Sequence, residues 1–450
     1  MPYEAEAGKI TIALVGDAMV NRRLALHREP EYLQLVDLLR GADFSVANLE
    51  TQINEFEHSW ANKPASISWQ VGEPDCLDDL KWLGIDAVTV ASNHSFDFNE
   101  AGFLTTLRHL RERGLAYAGG GMSLDEARAP AVVDLPQGRV ALMAACSTFF
   151  EQSVAGTARP DFRGKPGINA LHHETVHRVP ADVFAALRKA KRELGYDEYE
   201  EVHHRFHPHR AETYDHDSEV RFMGHTFRLA ESYGTDTSCR RTDLDDIERW
   251  ISGTCKHTDW RIYSLHSHES GPTGEIHEVC RESPPEFFTE FAHRVIDCGC
   301  HVVAGHGPHF LRGIEIYKGR PIFYSLGNFV FHNDTVRWQP EPAYARQGLG
   351  AEHTPGDWGA ARSGEGAYGF PVDSAFYHSV IAVCFFDDWE LREVRLYPID
   401  LGFGKTMSQR GRPLAATPPV ADEVLQWLQR LSQPYGTQIE NEGGVGVIRI

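Results

Sequence analysis

Long apolar runs are absent from this 450-residue chain, since no stretch reaches the roughly 18 apolar residues that a membrane-spanning helix requires. A signal-peptide pattern is also missing, because no basic segment, apolar core and small-residue cleavage site precede the first strand-like run. Both absences count against an integral membrane protein. We therefore expect a cytoplasmic protein with no membrane anchor and no membrane partner.

Basic residues are scarce relative to acidic ones, with 44 Lys and Arg against 64 Asp and Glu and a formal net charge of −20. Binding to nucleic acid requires clustered cations, so we expect no nucleic-acid partner. Cysteine is also infrequent, and of the eight cysteines only Cys298 and Cys300 lie close together. This spacing favours reduced thiols over a disulfide framework or a four-cysteine zinc site.

Short apolar runs alternate with amphipathic helical segments in the first third of the chain. The runs at 11–16, 44–50 and 86–94 predict buried strands. The helical segments between them end at Gly41 and Gly84, where a C-terminal cap prefers glycine. This alternation predicts an α/β fold with a largely covered sheet.

The domain organisation follows from where this alternation weakens. We predict that 1–150 and 259–400 form two halves of an α/β core, and that 401–450 is a tail whose helix packs on it. The segment 151–258 is rich in histidine and poor in apolar periodicity, and we interpret it as an inserted cap that covers the site and selects the substrate. The alternatives are a surface excursion with solvated histidines and a second metal site.

Polar residues that can bind metals or transfer protons stand at the ends of the predicted strands. They are Asp17, Asn48, Glu50, Asn93, His94, Asp97, His266, His268, Glu269, His306, His309 and Asn328. Ligands bind at the carboxyl ends of the strands in open α/β sheets. Carboxylate, imidazole and amide oxygen suit divalent cations, and the absence of cysteine argues against structural zinc. The pattern predicts one functional site.

His94 and Asp97 are the clearest candidates for acid–base catalysis. They lie three residues apart just beyond a strand, so a turn would let the carboxylate orient the imidazole and raise its basicity. The alternative is that Asp97 only caps the helix that begins near Asn99.

A second acid–base pair is predicted from the later strands. His309 or His306 would form it with Asp17, and His268 is a further catalytic candidate. Two such pairs on opposite sides of a substrate would remove one proton and return another, which is what epimerisation at a Cα requires.

Four residues are assigned to substrate binding, namely Arg22, Asn48, Glu269 and Asn328. The guanidinium fork of Arg22 suits an anionic group such as a carboxylate, although a structural salt bridge is an equal alternative. Asn328 is alternatively a turn residue that tolerates a positive φ.

A family resemblance rests on six motifs and on the tail at 401–413. The motifs are GDAMVNR at 16–22, NLE at 48–50, ASNHSFD at 91–97, HSHE at 266–269, GHGPH at 305–309 and SLGNF at 325–329. The chain thereby resembles the CapA family, whose members are associated with poly-γ-glutamate capsule synthesis. The resemblance implies the calcineurin-like (metallophosphoesterase) fold, a four-layer α/β/β/α sandwich with the inserted segment as a cap.

Phosphatases of that fold hold two metals, and this chain departs from their pattern. Its first motif reads Asp17-Ala18-Met19, where those enzymes have a ligand histidine in place of Met19. The position of their bridging aspartate falls near Asn48 or Glu50. The resemblance therefore implies one divalent ion (Ca, Mg, Mn or Zn) and no organic cofactor. The implied ligands are Asp17, Glu50, Asn93, His266 and His306.

A narrower resemblance is to the metal-dependent peptide epimerase of lasso-peptide biosynthesis, which shares the depleted two-metal motif and the long insert. It implies conversion of an L- to a D-residue in a ribosomally made peptide, presented by a leader-binding protein. Two alternatives stay open. One is a metal-dependent hydrolase of phosphate esters or γ-glutamyl amides, and the other is a capsule-biosynthesis component without catalytic activity.

Overall fold

A computed structural model describes residues 8–57, 60–62, 68–207, 217–271, 275–276 and 281–450. The helices are α1 Pro30–Gly41, α2 Asp75–Leu83, α3 Asn99–Glu112, α4 Leu124–Arg128, α5 Ala181–Glu193, α6 Tyr196–Phe206, α7 Arg241–Thr254, α8 Glu286–Asp297, α9 Glu341–Arg346, α10 Pro355–Ser363 and α11 Pro418–Ser432. The strands of the first half are β1 Ile10–Met19, β2 Phe44–Leu49, β3 Gln52–Ile53, β4 Val71–Gly72, β5 Ala87–Thr89, β6 Ala116–Ala118, β7 Gly120–Gly121, β8 Ala131–Leu135, β9 Gly138–Cys146, β10 Gly167–Ile168, β11 His173–Val179, β12 Glu219–Phe222 and β13 His225–Leu229. The remaining strands are β14 Gly234–Cys239, β15 Trp260–His266, β16 Glu269–Ser270, β17 Glu275–Ile276, β18 Val302–His306, β19 Ile314–Tyr317, β20 Arg320–Phe323, β21 Asn328–Phe331, β22 His378–Asp387, β23 Glu390–Asp400, β24 Leu414–Ala415, β25 Glu440–Glu442 and β26 Val445–Arg449.

The largest sheet is built around β1, a run of apolar and β-branched residues buried along nearly its whole length. Its order is β25-β26-β23-β22-β1-β2-β5-β6, with β24 beside β23 and β21 beside β1. The strands β1, β2, β5 and β6 are parallel, whereas β22 and β23 form an antiparallel pair. The predicted strand–helix alternation is confirmed.

One edge of β1 is shared between two neighbours. Its first half pairs with β22, and its last residues pair with β21. Gly16 lies at this crossing, where a Cβ would stand 1.9 Å from the carbonyl oxygen of Gly327. The close approach lets the amide of Asp17 donate to that oxygen at 2.9 Å and places Asp17 beside Asn328.

A second sheet has the order β19-β20-β18-β15-β9-β8, with β9, β15, β18 and β20 parallel. Apolar residues of both sheets and of α1, α2, α3 and α11 form one continuous core. This architecture agrees with the predicted calcineurin-like α/β class. The four-layer arrangement stays a prediction.

The helix α3 begins at Asn99, where the sequence predicts its start. Asn99 is its first residue, with φ of 61°, and its side chain donates to the carbonyl of Trp60. The capping position is held by Phe98, which offers no capping hydrogen bond. Of the two predicted C-terminal glycines, Gly84 caps α2 with φ of 103°, whereas Gly41 is the last residue of α1 and Ala42 holds the capping position.

The chain divides into two compact units. The first contains Met1–Leu171, Thr242–His268 and Ala292–Ile450, and the second contains His172–Arg241 and Glu269–Phe291. The predicted segment 151–258 thus overlaps the second unit without sharing its boundaries. Residues 151–171 of that segment belong to the first unit, because β10 pairs with β7.

The second unit has its own small sheet, in the order β12-β13-β11-β14, and its own helices α5 and α6. Val179, Phe184 and Val220 form its apolar core. His203, His204 and His207 of the histidine-rich tract lie on or just after α6, whereas 208–216 fall outside the described residues. A role of this unit as a cap stays a prediction.

Two absences noted in the sequence have structural counterparts. No helix within the described ranges is both long enough and apolar enough to span a bilayer. The cysteines of those ranges are free thiols, and Cys255 and Cys298 are only partly buried.

Candidate metal centre

The polar strand ends converge because the strands are in register. Asp17 on β1 is aligned with Asn48 on β2, and His266 on β15 is aligned with His306 on β18. Glu50 follows β2 directly. Parallel strands place their carboxyl ends at one edge, so both sheets contribute to a single cluster.

Glu50 is completely buried at the centre of this cluster. Its Oε1 lies 3.6 Å from Nε2 of His266 and 3.7 Å from Nε2 of His268. His94 and His309 also face it, with Nε2 of His94 4.0 Å from Oε1 and Nδ1 of His309 3.7 Å from Oε2. Four imidazoles therefore surround one carboxylate.

Burial, followed by the charges of Asp17 and Asp97, raises the pKa of Glu50 well above its ordinary value. The protein alone thus disfavours the ionised form of this carboxyl. A divalent cation would reverse that balance, because its charge favours the carboxylate.

Asp17 is held by hydrogen bonds from two directions. Nδ2 of Asn48 donates to its Oδ1 at 2.8 Å, and the amide of Gly307 donates to its Oδ2 at 3.1 Å. Gly307 has φ of 113°, and a Cβ there would meet the backbone of Ser267 at 2.9 Å, so only glycine fits. Burial raises the pKa of Asp17, but the neighbouring histidines, His309 foremost, outweigh it and the pKa lies below its ordinary value.

The histidines of the two aligned strands are poised as neutral ligands. Burial lowers the pKa of His266 to about 3 and that of His306 to about 4, although the charge of Asp17 opposes both shifts. Neutral imidazole is the form that binds metal. Nδ1 of His306 lies 3.8 Å from Oδ1 of Asp17.

Several buried atoms of the cluster have no hydrogen-bond partner within the described structure. They are both carboxylate oxygens of Glu50, both ring nitrogens of His306 and Nε2 of His268. Buried polar atoms are rarely left unsatisfied, and these are oxygen and imidazole donors of the kind that divalent cations prefer. The residues present therefore fit a metal ion.

Two groups of donor atoms are compact enough to hold an ion, each within 4.8 Å, and both contain Glu50. One adds Asp17 and His266, which are predicted ligands. The other adds His268 and His309, which the sequence assigned to catalysis. The remaining predicted ligand, Asn93, lies beside His266, with its Oδ1 2.9 Å from Nε2 of His266, and its role as a ligand stays a prediction.

His94 and Asp97 form the predicted pair in geometry. Nδ1 of His94 donates to Oδ2 of Asp97 at 2.7 Å, and both residues are buried. The same oxygen accepts the amide of Gln70 at 2.6 Å, not an amide of α3, which counts against the capping alternative. Burial raises the pKa of Asp97, and the neighbouring His94 opposes the shift.

His309 is positioned by Asn328. Its Nδ1 donates to Oδ1 of Asn328 at 3.0 Å, and Nδ2 of Asn328 donates to the carbonyls of His309 and Phe376. His309 has φ of 67°, which is uncommon for a residue other than glycine and is typical of functional sites. Its Nδ1 lies 3.5 Å from Oδ2 of Asp17, closer than the 3.8 Å of His306.

The residues assigned to substrate binding have other contacts. The Asn48 amide donates to Asp17 and accepts from Oγ1 of Thr89 at 2.8 Å, so like Asn328 it has a positioning role. Arg22 donates to the carbonyls of Ser408 and Arg410, which is neither an anion contact nor a salt bridge. Glu269 belongs to the second unit, and its role stays a prediction.

Met19 stands where phosphatases have a ligand histidine, and its surroundings are apolar. It is 2% exposed and packs with Phe310, Phe331 and Phe376 in an apolar cluster. Sequence reasoning missed Thr89 and Gln70, because neither belongs to a motif and each acts only through a contact made by the fold.

The chain is similar in sequence to several known proteins. The family model described as bacterial capsule synthesis protein PGA_cap matches residues 11–333. An uncharacterised protein of Sinorhizobium fredii is 35% identical over 98% of this chain and 93% of its own length. The PGA biosynthesis protein CapA of Bacillus subtilis is 22% identical over 73% of this chain and 65% of its own length. A probable polyglutamine synthesis accessory protein of Mycobacterium tuberculosis is 24% identical over 64% and 55%, respectively.

Proposed function

Because the chain belongs to the bacterial capsule synthesis protein family PGA_cap, we propose that it is a metal-dependent acid–base enzyme that acts on a peptide. At the coarser level, family membership and the two donor groups support a role in capsule biosynthesis or a metal-dependent, hydrolase-like activity. Relatives named for PGA biosynthesis and polyglutamine synthesis favour a substrate with amide bonds.

The proposed cofactor is one divalent metal ion (Ca, Mg, Mn or Zn), and no organic cofactor is proposed. Asp17, Glu50 and His266 would hold it, with His306 beside Asp17 as a further donor. When bound, the ion would supply positive charge that stabilises an oxyanion developing on a substrate carbonyl. Asn48 fixes both Asp17 and His266 in this arrangement, since its Nδ2 also lies 3.1 Å from Nδ1 of His266.

The finer proposal is that the enzyme inverts a Cα from L to D. The observation that carries it is that His94 and His309 face different oxygens of Glu50, each imidazole being oriented by its own partner. Each imidazole also has a carboxylate beside it, since Nδ1 of His94 lies 2.7 Å from Oδ2 of Asp97 and Nδ1 of His309 lies 3.5 Å from Oδ2 of Asp17.

In the proposed reaction, one imidazole removes the α-proton and the electron pair of the C–H bond delocalises into the adjacent carbonyl. The other imidazole, already protonated, donates its proton to the opposite face of the same carbon. The proposed substrate is a ribosomally made, lasso-type precursor peptide that a leader-binding protein presents in the cytoplasm.

Deuterium exchange tests this proposal. The protein is incubated with a divalent cation and a candidate precursor peptide in deuterated water, followed by mass spectrometry and chiral amino-acid analysis. We expect one residue to gain a deuteron and invert, without cleavage. His94→Ala and His309→Ala should each abolish exchange, whereas His257→Ala, which removes an exposed histidine, should not. Undiminished exchange in either site variant contradicts the two-base scheme.

Hydrolysis is the second candidate, favoured by a separate observation. Glu50 belongs to both donor groups, as a carboxylate that bridges two ions would. Two-metal hydrolysis uses ions about 3.5–4 Å apart that share such a ligand. Phosphate esters and γ-glutamyl amides are then the substrates to screen. Cleavage without deuterium at Cα, with one of the two histidines dispensable, would identify this reaction.

A further inference from the structure

Arg362, near the end of α10, is a half-buried guanidinium with no carboxylate partner of its own in the described structure. Its Nη1 donates to Oδ1 of Asn333 at a long 3.4 Å. Its guanidinium lies over the rings of Trp358 and Phe370, 5.2 and 5.5 Å from their centroids. The neighbouring carboxylate of Asp334 is paired with a different arginine.

Three other arginines have carboxylate or main-chain partners. Arg410 contacts Asp334 at 2.5 Å, and Arg412 contacts Glu29 at 2.7 Å. Arg22 donates to two main-chain carbonyls. Arg362 differs from them in its contacts, which are two aromatic rings and one amide oxygen, while the nearby charge of Asp334 is paired with Arg410.

Two short chains of contacts connect Arg362 to the two proposed acid–base histidines. Asn333, which accepts from Arg362, also accepts from Nε2 of Gln70 at 3.1 Å, and the amide of Gln70 donates to Asp97. On the other side, the ring of Phe370 lies 6.3 Å from that of His309, in an edge-to-face contact. Arg362 therefore lies at the periphery of the cluster, linked to both of its sides.

The chemistry of the group indicates its ligand. Burial lowers the pKa of Arg362 and the charge of Asp334 opposes that shift, yet a guanidinium stays protonated in proteins at neutral pH. A partly desolvated cation is costly unless an anion compensates it, and a planar fork matches a carboxylate. Aromatic rings beneath it hold the fork in place without using its outward N–H groups.

We propose that Arg362 binds a carboxylate group of the substrate and so selects carboxylate-bearing peptides. The inference deepens the proposed function by naming the substrate class, and it transfers to Arg362 the role predicted for Arg22. It concerns binding alone, so it stands or falls separately from epimerisation.

A double-mutant cycle between protein and ligand tests the contact. Calorimetric titration compares acetyl-Ala-Gly-Ala-Trp with a free carboxyl terminus, the same peptide as its amide, and acetyl-Ala-Gly-Glu-Trp amide. The first carries a terminal carboxylate and the third only a side-chain carboxylate, so the preferred peptide identifies the source of the anion. The titrations are run with and without a divalent cation, since a metal could also attract the carboxylate.

Wild-type protein should bind one carboxylate peptide at least about tenfold more tightly than the neutral amide. Arg362→Gln should reduce that preference to within about twofold, and Arg362→Lys should retain part of it, because the charge stays while the fork is lost. Arg337→Gln, which removes an exposed arginine paired with Glu73, is the matched control and should keep the full preference.

Three results would overturn the proposal. They are a wild-type protein that does not favour either carboxylate peptide, an Arg362→Gln variant that keeps the preference, and an Arg337→Gln control that loses it equally. Arg362→Lys guards against misfolding, since it preserves the cation over the Trp358 and Phe370 rings.

Discussion

At the scale of single residues, Glu50 shows how the centre fits a cation. Its carboxyl group is completely buried, is surrounded by four imidazoles and shares its surroundings with Asp17 and Asp97. In the absence of a metal, the protein has to keep this carboxyl group buried beside two other acidic groups. A buried carboxyl group with a raised pKa is typical of a functional site.

Replacement of Glu50 by glutamine should therefore lower the melting temperature when a metal is bound, but not when the metal is absent. A saturating divalent cation should raise the melting temperature of the wild type, since a ligand at a hundredfold excess over its Kd stabilises by about 2.7 kcal/mol. Glu50→Gln should lose most of that rise. Without cation it should melt no lower than the wild type, because the repulsion from Asp17 and Asp97 is removed.

Differential scanning fluorimetry with EDTA and with each candidate cation provides the measurement. Glu73→Gln serves as control, because it removes a half-exposed carboxylate whose partner is Arg337. An equal rise in Glu50→Gln and wild type would rule out Glu50 as a ligand.

At the scale of elements, β1 determines the geometry of the centre. Its pairing with β22 ends at Leu14 and its pairing with β21 begins at Asp17, which is one of the proposed ligands. The change is possible only because Gly16 lets two backbones approach. The strand thus aligns Asp17 with Asn48 on one side and Asn328 on the other.

Gly16→Ala should disrupt this crossing. The new Cβ would lie 1.9 Å from a backbone oxygen, so β1 and β21 must separate, and we expect a loss of at least about 1–3 kcal/mol in the free energy of unfolding. Cation binding should weaken as well, because Asp17 moves with the strand.

Gly253→Ala is the matched control for that substitution. No neighbouring atom lies within 4 Å of its added Cβ, and Gly253 is an exposed residue of α7, so alanine should stabilise by about 0.5–1 kcal/mol. Thermal melts and cation titrations of both variants provide the comparison. A Gly16→Ala protein with wild-type melting temperature and cation affinity would contradict the role of the crossing.

At the scale of the whole molecule, stability should depend on pH through buried histidines. His301 is 5% exposed, packs against Trp260, and accepts the amide of Arg261 at Nδ1. Burial, followed by the charges of Arg261 and Arg320, lowers its pKa well below 6.5. Below that pH the unfolded chain binds a proton that the folded protein does not, so stability is full above pH 6.5 and falls as the pH decreases.

His301→Asn should reduce this pH dependence. The asparagine oxygen can accept the Arg261 amide as Nδ1 does, but it does not titrate. Between pH 6.5 and about 5, the variant should lose less stability than the wild type, by up to about 1.4 kcal/mol per pH unit. Urea unfolding at several pH values, with EDTA present, measures the difference. Parallel profiles for the two proteins would show that His301 does not contribute.

The sequence by itself determined the α/β class, the strand ends that carry polar side chains, and the His94–Asp97 pair. The reason is that these features are local. Apolar periodicity defines a strand, and two residues three apart on one turn meet whatever the rest of the chain does. The replacement of a ligand histidine by Met19 was visible for the same reason.

Only the tertiary structure decided which of those side chains meet. Glu50 faces His309 because sheet register and packing join segments far apart in the chain, and no spacing in the sequence encodes that distance. The sequence also does not encode the contacts of Asn48 and Asn328, whose side-chain amides hydrogen-bond to Asp17 and to main-chain carbonyls, respectively. Nor does it encode that the guanidinium of Arg22 binds main-chain carbonyls. Arg362 lies in no motif, and its contacts with Phe370 and Asn333 exist only in the folded protein.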